Sequence, residues 1–318
     1  MTRPEVPPAI EDAARRRSEA RAEADWATAD RLRGEIEAAG WRVIDSGDRY
    51  RLELASPPDV EVGGEIRYGR SDAVPSRLDE PATGLATVVF VASPDPVANR
   101  RSLAGLVGGA PDGVDVVVVA DGLPDGAIEG LATQPVPSEI LRTSARLGQG
   151  VALNIGIRRS RAPVVVVFDA SITATGDVIR PLVHALADPT VAIVGPFGLA
   201  SSDLRRFEEL VPSDGLADAA AIQGYLMAFR RADAAARGPI DEAFRFYRNL
   251  DIWWSLVLRD EGEVRPPRRA LVAPGLPLER GEPAAWRDTA PAERDRLSKR
   301  NFYRVLDRFR TRLDMASG

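Results

Sequence analysis

The segment APVVVVFDAS, residues 162–171, decides the fold. A proline opens it, Val164 to Phe168 run unbroken, and Asp169 closes it. Runs that are apolar on both faces suit central strands of a parallel sheet with helices on either side. Residues 114–122, VDVVVVADG, have the same shape and end in Asp121; residues 85–93, LATVVFVAS, come first and lack the acid. Ligands of open α/β sheets bind beyond the carboxyl ends of the strands. The pattern therefore predicts an α/β fold, a Rossmann-like, mostly parallel sheet flanked by helices, with Asp121 and Asp169 at one edge.

The alternation continues around these strands. Helices are expected over 98–107, 126–133, 148–160 and 177–186, and strands over 139–142 and 191–194. A strand is expected within 221–230, then a tryptophan-bearing helix over 250–260. The last helix, 294–313, places Phe302, Leu306, Phe309 and Leu313 on one face and carries eight basic residues against Asp295 and Asp307. It either contacts anionic lipid or a phosphorylated lipid acceptor, or docks on the core with a solvated basic face.

Composition sets the bounds. Apolar residues make up 44% of the 318, enough for a substantial core. No apolar run approaches the ~18 residues of a membrane helix, and the start, MTRPEVPPAIED, lacks the apolar core of a secretory signal. With no cysteine, disulfides and thiolate metal sites are excluded; a cytoplasmic location fits, with peripheral contact at the inner face of the plasma membrane through 294–313. His184 is the only histidine, so neither a catalytic triad built on several histidines nor a multi-histidine zinc site is available. The net charge of −5 argues against general nucleic-acid binding.

The amino-terminal part reads as a helix-plus-hairpin module, residues 1–55. One long helix is expected over 9–39, with Ala22, Trp26, Ala29, Leu32 and Ile36 as its apolar stripe and Gly40 as its stop. Alternation at Trp41 and Val43, then at Tyr50, Leu52 and Leu54, predicts a hairpin turning at residues 45–48. The module resembles the carboxy-terminal tail of cysteinyl-tRNA synthetases through Ala20-Arg21, Asp25-Trp26-Ala27, Ala29-Asp30-Arg31, Arg33, Gly40 and Asp45. In that family the segment belongs to the tRNA-binding end; here the favoured reading is a helical docking or dimerisation element rather than RNA contact. Residues 56–84, rich in proline, glycine and charge without any period, read as a linker.

Four blocks give the rest of the chain a second resemblance. VVVVADGLPDG at 116–126, GQGVALNIGI at 148–157, VVVVFDAS at 164–171 and FRFYRNLDIWWSLVLRDEG at 244–262 occur in the order found in family-2 glycosyltransferases. The resemblance implies a GT-A-like domain over 85–290, followed by the basic amphipathic helix of 291–318. It implies transfer of a sugar from a nucleotide-sugar donor to a hydroxyl of a glycan, lipid-linked saccharide or envelope polymer, by an inverting displacement. Asp121 either binds the donor base or ribose or caps the following turn. Gly148, Gly150 and Asn154 match the family's G-x-G-x-x-x-N-x-G and are assigned to the donor side, although close helix packing explains the glycines too.

The resemblance also implies a divalent cation, manganese or magnesium, held by an Asp-x-Asp. Here the triplet is Asp169-Ala170-Ser171, so Asp169 is the metal ligand, Ser171 a weaker donor-side substitute, and the cation weakly held. The late histidine that often completes the site is missing from 274–288. Asn249 falls where the family's base is expected and cannot accept a proton. Asp251 is then the candidate base, with Asp241 and Glu242 as further acids; negative charge in a helix's first turn explains Asp251 as well. These substitutions keep two alternatives open, a catalytically silent relative that binds nucleotide or sugar, and an RNA-associated adaptor suggested by the amino-terminal module.

Overall fold

The computed structural model describes residues 6–47, 49–131, 138–210, 212 and 215–317. Two compact units emerge, Met1–Val60 and Glu61–Gly318. The first contains α1 (Pro8–Ala22), α2 (Trp26–Ala38), β1 (Trp41–Ser46) and β2 (Arg49–Leu54). The expected single helix is two. Asp25 caps α2 by accepting from the Thr28 amide at 3.1 Å, and Ala24 takes a left-handed φ of 59° at the break. An N-cap aspartate stops one helix from running into the next, so Trp26 leaves the apolar stripe and is exposed. Ala14, Ile36, Trp41 and Leu52 form the small core. The antiparallel hairpin β1–β2 is as expected; Asp48, in its turn, lies outside the described residues.

The second unit follows in chain order: β3 (Val60–Val62), β4 (Glu65–Tyr68), β5 (Ala86–Val91), α3 (Pro96–Gly109), β6 (Val114–Ala120), β7 (Ser138–Thr143), α4 (Gln149–Arg159), β8 (Val164–Asp169), β9 (Ile172–Ala174), α5 (Ile179–Ala185), β10 (Val191–Gly195), β11 (Gly198–Ala200), β12 (Glu208–Leu210), β13 (Ala217–Ala219), β14 (Ala221–Ile222), β15 (Leu226–Arg230), α6 (Arg231–Arg237), α7 (Leu250–Arg259), β16 (Arg269–Val272), β17 (Leu278–Arg280), α8 (Ala284–Arg287) and α9 (Pro291–Phe309). The main sheet runs β13-β16-β10-β15-β8-β5-β6-β7-β4-β3. Strands β8, β5, β6 and β7 are mutually parallel neighbours, and β15 is antiparallel to both β8 and β10.

Period-two alternation explains the double burial of these strands. Val88, Phe90, Val116, Val118, Val166 and Phe168 face Leu103 and Leu106 of α3 and Ile179 and Leu182 of α5. Val89, Val165 and Val167 face the other way, into a cluster with Leu153 of α4 and Trp254 and Val257 of α7. At Gly156 of α4 an added Cβ would fall 2.2 Å from Val89 Cγ1, so only glycine lets this helix lie so close to the sheet.

Three expectations change. The 56–84 stretch is not a free linker: β4 pairs in parallel with β7, Val74 is fully buried, and the Arg77 amide donates to the Arg158 carbonyl. The buried Arg231 donates to the carbonyls of Arg77 and Glu80. These ties run through backbone atoms and leave no hydrophobic period to read. The helix expected over 126–133 is only a 3-10 turn, Asp125–Ala127, and residues 132 and 133 lie outside the described set. The strand within 221–230 is broken at 223–225, between β14 and β15.

Helix α9 docks on the core through Asn301, Val305 and Phe309, one residue per turn. Leu313, expected on the same face, is exposed beyond the helix end. Among the described residues, no helix is long and apolar enough to cross a membrane.

Candidate functional site

The chain leaves β5 for β6 and β7 on one side, then returns through α4 to β8 on the other. This reversal opens a crevice beyond the carboxyl ends of β5 and β8. A cleft of about 450 Å³ lies there. Its walls include Ser93 after β5, Asp121 and Gly122 after β6, Gly148 and Gln149 at the start of α4, and Asp169 and Ser171 after β8. Residues 281–285 and Arg287, around α8, form the remaining wall. Both strand-end acids therefore lie at the same edge.

Their environments differ. The Asp121 carboxylate accepts from the amides of Leu147 at 2.7 Å and Gly148 at 2.8 Å, and from the Thr143 hydroxyl at 3.0 Å. It fixes the loop leading into α4. Burial pushes its carboxyl above the usual range, against the pull of those two amides. Asp169 Oδ1 accepts from the Ser171 amide at 2.8 Å and from the Ser171 hydroxyl. Burial raises the Asp169 carboxyl as well, and only Ser171 opposes the rise.

A second, smaller cavity of about 40 Å³ is lined by Asp169, Asp251, Tyr225, Tyr247, Gly224 and Leu250. Gln149, Asp169, Tyr247 and Pro283 belong to the walls of both spaces. Asp251, in the first turn of α7, accepts from the Gly224 amide at 2.9 Å and the Ile252 amide at 3.0 Å. Burial again raises its carboxyl. The Tyr247 phenol is pushed well above its usual range, first by burial and then by its neighbour Tyr225, with Asp169 and Asp251 adding to the rise.

Other expected site residues stand elsewhere. Asp241 Oδ2 is paired with Arg304 at 2.9 Å and its Oδ1 accepts from the Ala243 amide. Glu242 Oε1 accepts from Asn154 Nδ2 at 3.0 Å and from the Ser71 hydroxyl. Neither lines the cleft or the smaller cavity. Asn154 is buried and spans Ile240 with two bonds of 2.9 Å, its Nδ2 donating and its Oδ1 accepting. It ties α4 to the 240–242 loop and lines neither the cleft nor the smaller cavity. At Gly150 an added Cβ would fall 2.9 Å from the Asp241 carbonyl oxygen, so this glycine also serves packing. Gly148 differs: it lines the cleft at a φ of 107° and abuts the Arg245 backbone. Asn249, at a left-handed φ of 67°, makes no capping bond and donates instead to the Ser298 carbonyl on α9 at 2.9 Å.

The sequence reading passed over Tyr247, Arg146, Arg245 and the α8 wall. Tyr247 and Arg245 sat within a quoted block, but nothing in their spacing singled them out. Arg248 and Arg294 flank Trp286 of α8, at 4.7 and 4.2 Å from its ring. Such cation–π stacking fixes an element that has little buried surface of its own.

A magnesium-type cation demands near-octahedral oxygen ligation. Asp169 offers one carboxylate, with one oxygen engaged by both donors of Ser171. Among the described residues, no three His, Cys, Asp or Glu side chains cluster as a metal site. This donor set does not by itself make a resident cation site.

Comparison with known proteins adds to this geometry. Residues 100–232 match the family model "Glycosyl transferase family 2", and residues 3–51 match "Cysteinyl-tRNA ligase anticodon binding domain". No curated protein matches the chain. Among solved structures, the chain is similar to GalNAc-T7 with UDP, GalNAc and Mn2+, at a TM-score of 0.57 and 15% identity, covering 71% of this chain and 48% of that one. It thus spans about half of that protein's length. It is also similar to the mannosyltransferase PcManGT from Pyrobaculum calidifontis in complex with GDP-Man and Mn2+, at a TM-score of 0.53 and 21% identity, covering 76% and 71%. At these identities the structural likeness establishes the fold. The unit that holds the cleft has the GT-A fold seen in those glycosyltransferase structures, and residues 100–232 match the family-2 glycosyltransferase model.

Proposed function

We propose that this chain transfers a glycosyl group from a nucleotide-sugar donor to an acceptor hydroxyl. The observation that carries this reading is the pair of adjoining spaces, with Asp169 in both and Asp251 in the inner one. The larger cleft has a size suited to a small ligand and would take the donor. The acceptor oxygen attacks the anomeric carbon and forms the new C–O bond there. The bond from that carbon to the diphosphate oxygen breaks, and the nucleoside diphosphate leaves with the electron pair. In-line attack from the opposite face inverts the anomeric centre. Asp251 takes the hydroxyl proton. Its burial raises its basicity toward what a general base needs near neutral pH.

Both solved structures named above hold Mn2+, but this reading does not depend on a resident divalent cation. Here such a cation would find Asp169 as its single carboxylate ligand. The acceptor is proposed as a glycan, a lipid-linked saccharide or an envelope polymer. The exposed basic residues of α9 offer a surface for an anionic headgroup.

A second reading has its own support. Asn249 is turned toward α9, and both Asp251 oxygens accept backbone amides. These features suit a relative that binds a nucleotide sugar without turning it over. Incubation of the purified chain with a panel of nucleotide sugars, reading released nucleoside diphosphate and raised melting temperature, tests both. Slow hydrolysis or transfer supports the enzyme. Stabilisation without release on any acceptor supports the silent binder. The absence of both effects would remove the nucleotide-sugar reading.

A further inference from the structure

We infer that Arg101, Arg146 and Arg245 take the diphosphate of a nucleoside-diphosphate ligand in the large cleft, and that they hold it without a divalent cation. The inference rests on the nucleotide-sugar reading and assigns the chemistry of its charged subsite. The three arginines come from separate places, α3, the loop between β7 and α4, and the loop before α7, yet all line one cleft. Arg146 adjoins Asp121, whose carboxyl feels its charge, and the Arg245 backbone abuts Gly148. The two thus flank the start of α4.

Their lack of partners is the telling feature. Among the described residues, Arg101, Arg146 and Arg245 make no ion pair or side-chain hydrogen bond. Elsewhere in the unit arginines are heavily engaged: Arg142 pairs with Glu65 and Asp125, Arg159 with Glu139, and Arg268 with Asp233 and Glu261. The fourth arginine of the cleft, Arg287, is paired with Asp288.

The acids of the same walls do not cancel this surplus. Asp121 is committed to two backbone amides, and Asp95 caps α3 through the Val97 and Ala98 amides. Asp169 and Glu282 remain. Unpaired guanidinium groups present planar forks of N–H donors that match phosphate oxygens two at a time. Fixed positive charge aimed at a leaving diphosphate performs the same electrostatic task as a bound cation. The cleft supplies three such charges and only one carboxylate for a metal from the strand-end triplet.

Calorimetry on the full chain tests this, with uridine, guanosine, thymidine, cytidine and adenosine diphosphates and their monophosphates, in EDTA and in excess manganese. The diphosphate that binds should do so with a Kd that differs by less than about 3-fold between the two conditions. Arg146→Ala with Arg245→Ala should weaken it by about 10- to 100-fold and weaken the monophosphate much less. Arg146→Lys with Arg245→Lys should recover part of the loss. All three side chains are exposed, so the variants should melt as wild type does. A diphosphate that binds at least about 10-fold more tightly with manganese, or arginine variants that bind as wild type, would overturn the inference and leave the donor reading intact. If no nucleotide binds wild type in either condition, the donor reading falls and the inference with it.

Discussion

The ends of β6 and β8 share a sequence shape but not a use. Each is a valine run closed by an aspartate, and the two acids reach the same edge of the same sheet. Asp121 is met by the loop ahead of α4, and its oxygens are filled by backbone amides. Asp169 is met only by its own neighbour, Ser171, and looks into both cavities. A strand-end acid is delivered to the ligand edge by the fold. Whether it remains free for a ligand depends on which backbone donors arrive beside it, and those come from distant loops.

Asp251 lies between these two cases and provides the largest expected effect. It resembles Asp121 in accepting two amides, and Asp169 in lining the inner cavity. If it takes the acceptor proton, Asp251→Asn should lower turnover by about 10²- to 10⁴-fold while donor affinity is kept. Wild-type turnover should rise with pH through an apparent pKa above the usual carboxylate range, because burial favours the neutral acid. Undiminished transfer by the folded variant would place Asp251 with Asp121, as an acid used for structure alone.

Asp121→Asn should cost stability. An asparagine offers one acceptor oxygen and turns an N–H₂ toward a backbone donor, leaving the Leu147 or Gly148 amide unsatisfied. The expected loss is about 1–3 kcal/mol, read as a lower denaturant midpoint with unchanged slope. Gly156→Ala should cost a similar amount, about 1–3 kcal/mol, by forcing α4 off Val89. Asn154→Ala leaves the Ile240 amide without its acceptor and belongs in the same range. In all three, donor affinity should fall only through unfolding; a specific loss of affinity at constant stability would return Asn154 or Asp121 to the ligand.

Much of the fold was legible because the signals were local. Buried valine runs, Gly40 at its left-handed turn and the alternating hairpin each announce themselves within a few residues. The break at Asp25 was written as an N-cap but was masked by Trp26, whose spacing mimics the apolar stripe. Residues 56–84 were misread because arginines 77, 158 and 231 anchor them through backbone carbonyls and amides. The edge that holds the cleft was legible where strand ends place Asp121 and Asp169, whereas Asp251 reaches the inner cavity from the first turn of α7. Asn154, Asp241 and Glu242 could not be separated from the site, since their partners, Ile240, Arg304 and Ser71, lie far along the chain.

The smallest effect completes the contrast between the two strand ends. Asp169→Asn keeps an acceptor oxygen for the Ser171 amide and removes a half-buried negative charge that, among the described residues, no basic side chain offsets. The folded carboxyl is raised above its unfolded value, so over the range between those two values the native state holds more protons than the unfolded one. Wild-type stability then falls as pH climbs through that range, and the penalty is complete above it. The asparagine variant should be more stable than wild type at pH 7. That advantage should shrink as pH drops toward the usual carboxylate range and be absent below it. Denaturant titrations of both proteins from pH 3 to pH 8 read the difference directly. A variant less stable at every pH would mean that the folded chain needs the Asp169 carboxylate for its hydrogen bonds, as it needs that of Asp121, and the distinction between the two acids would be lost.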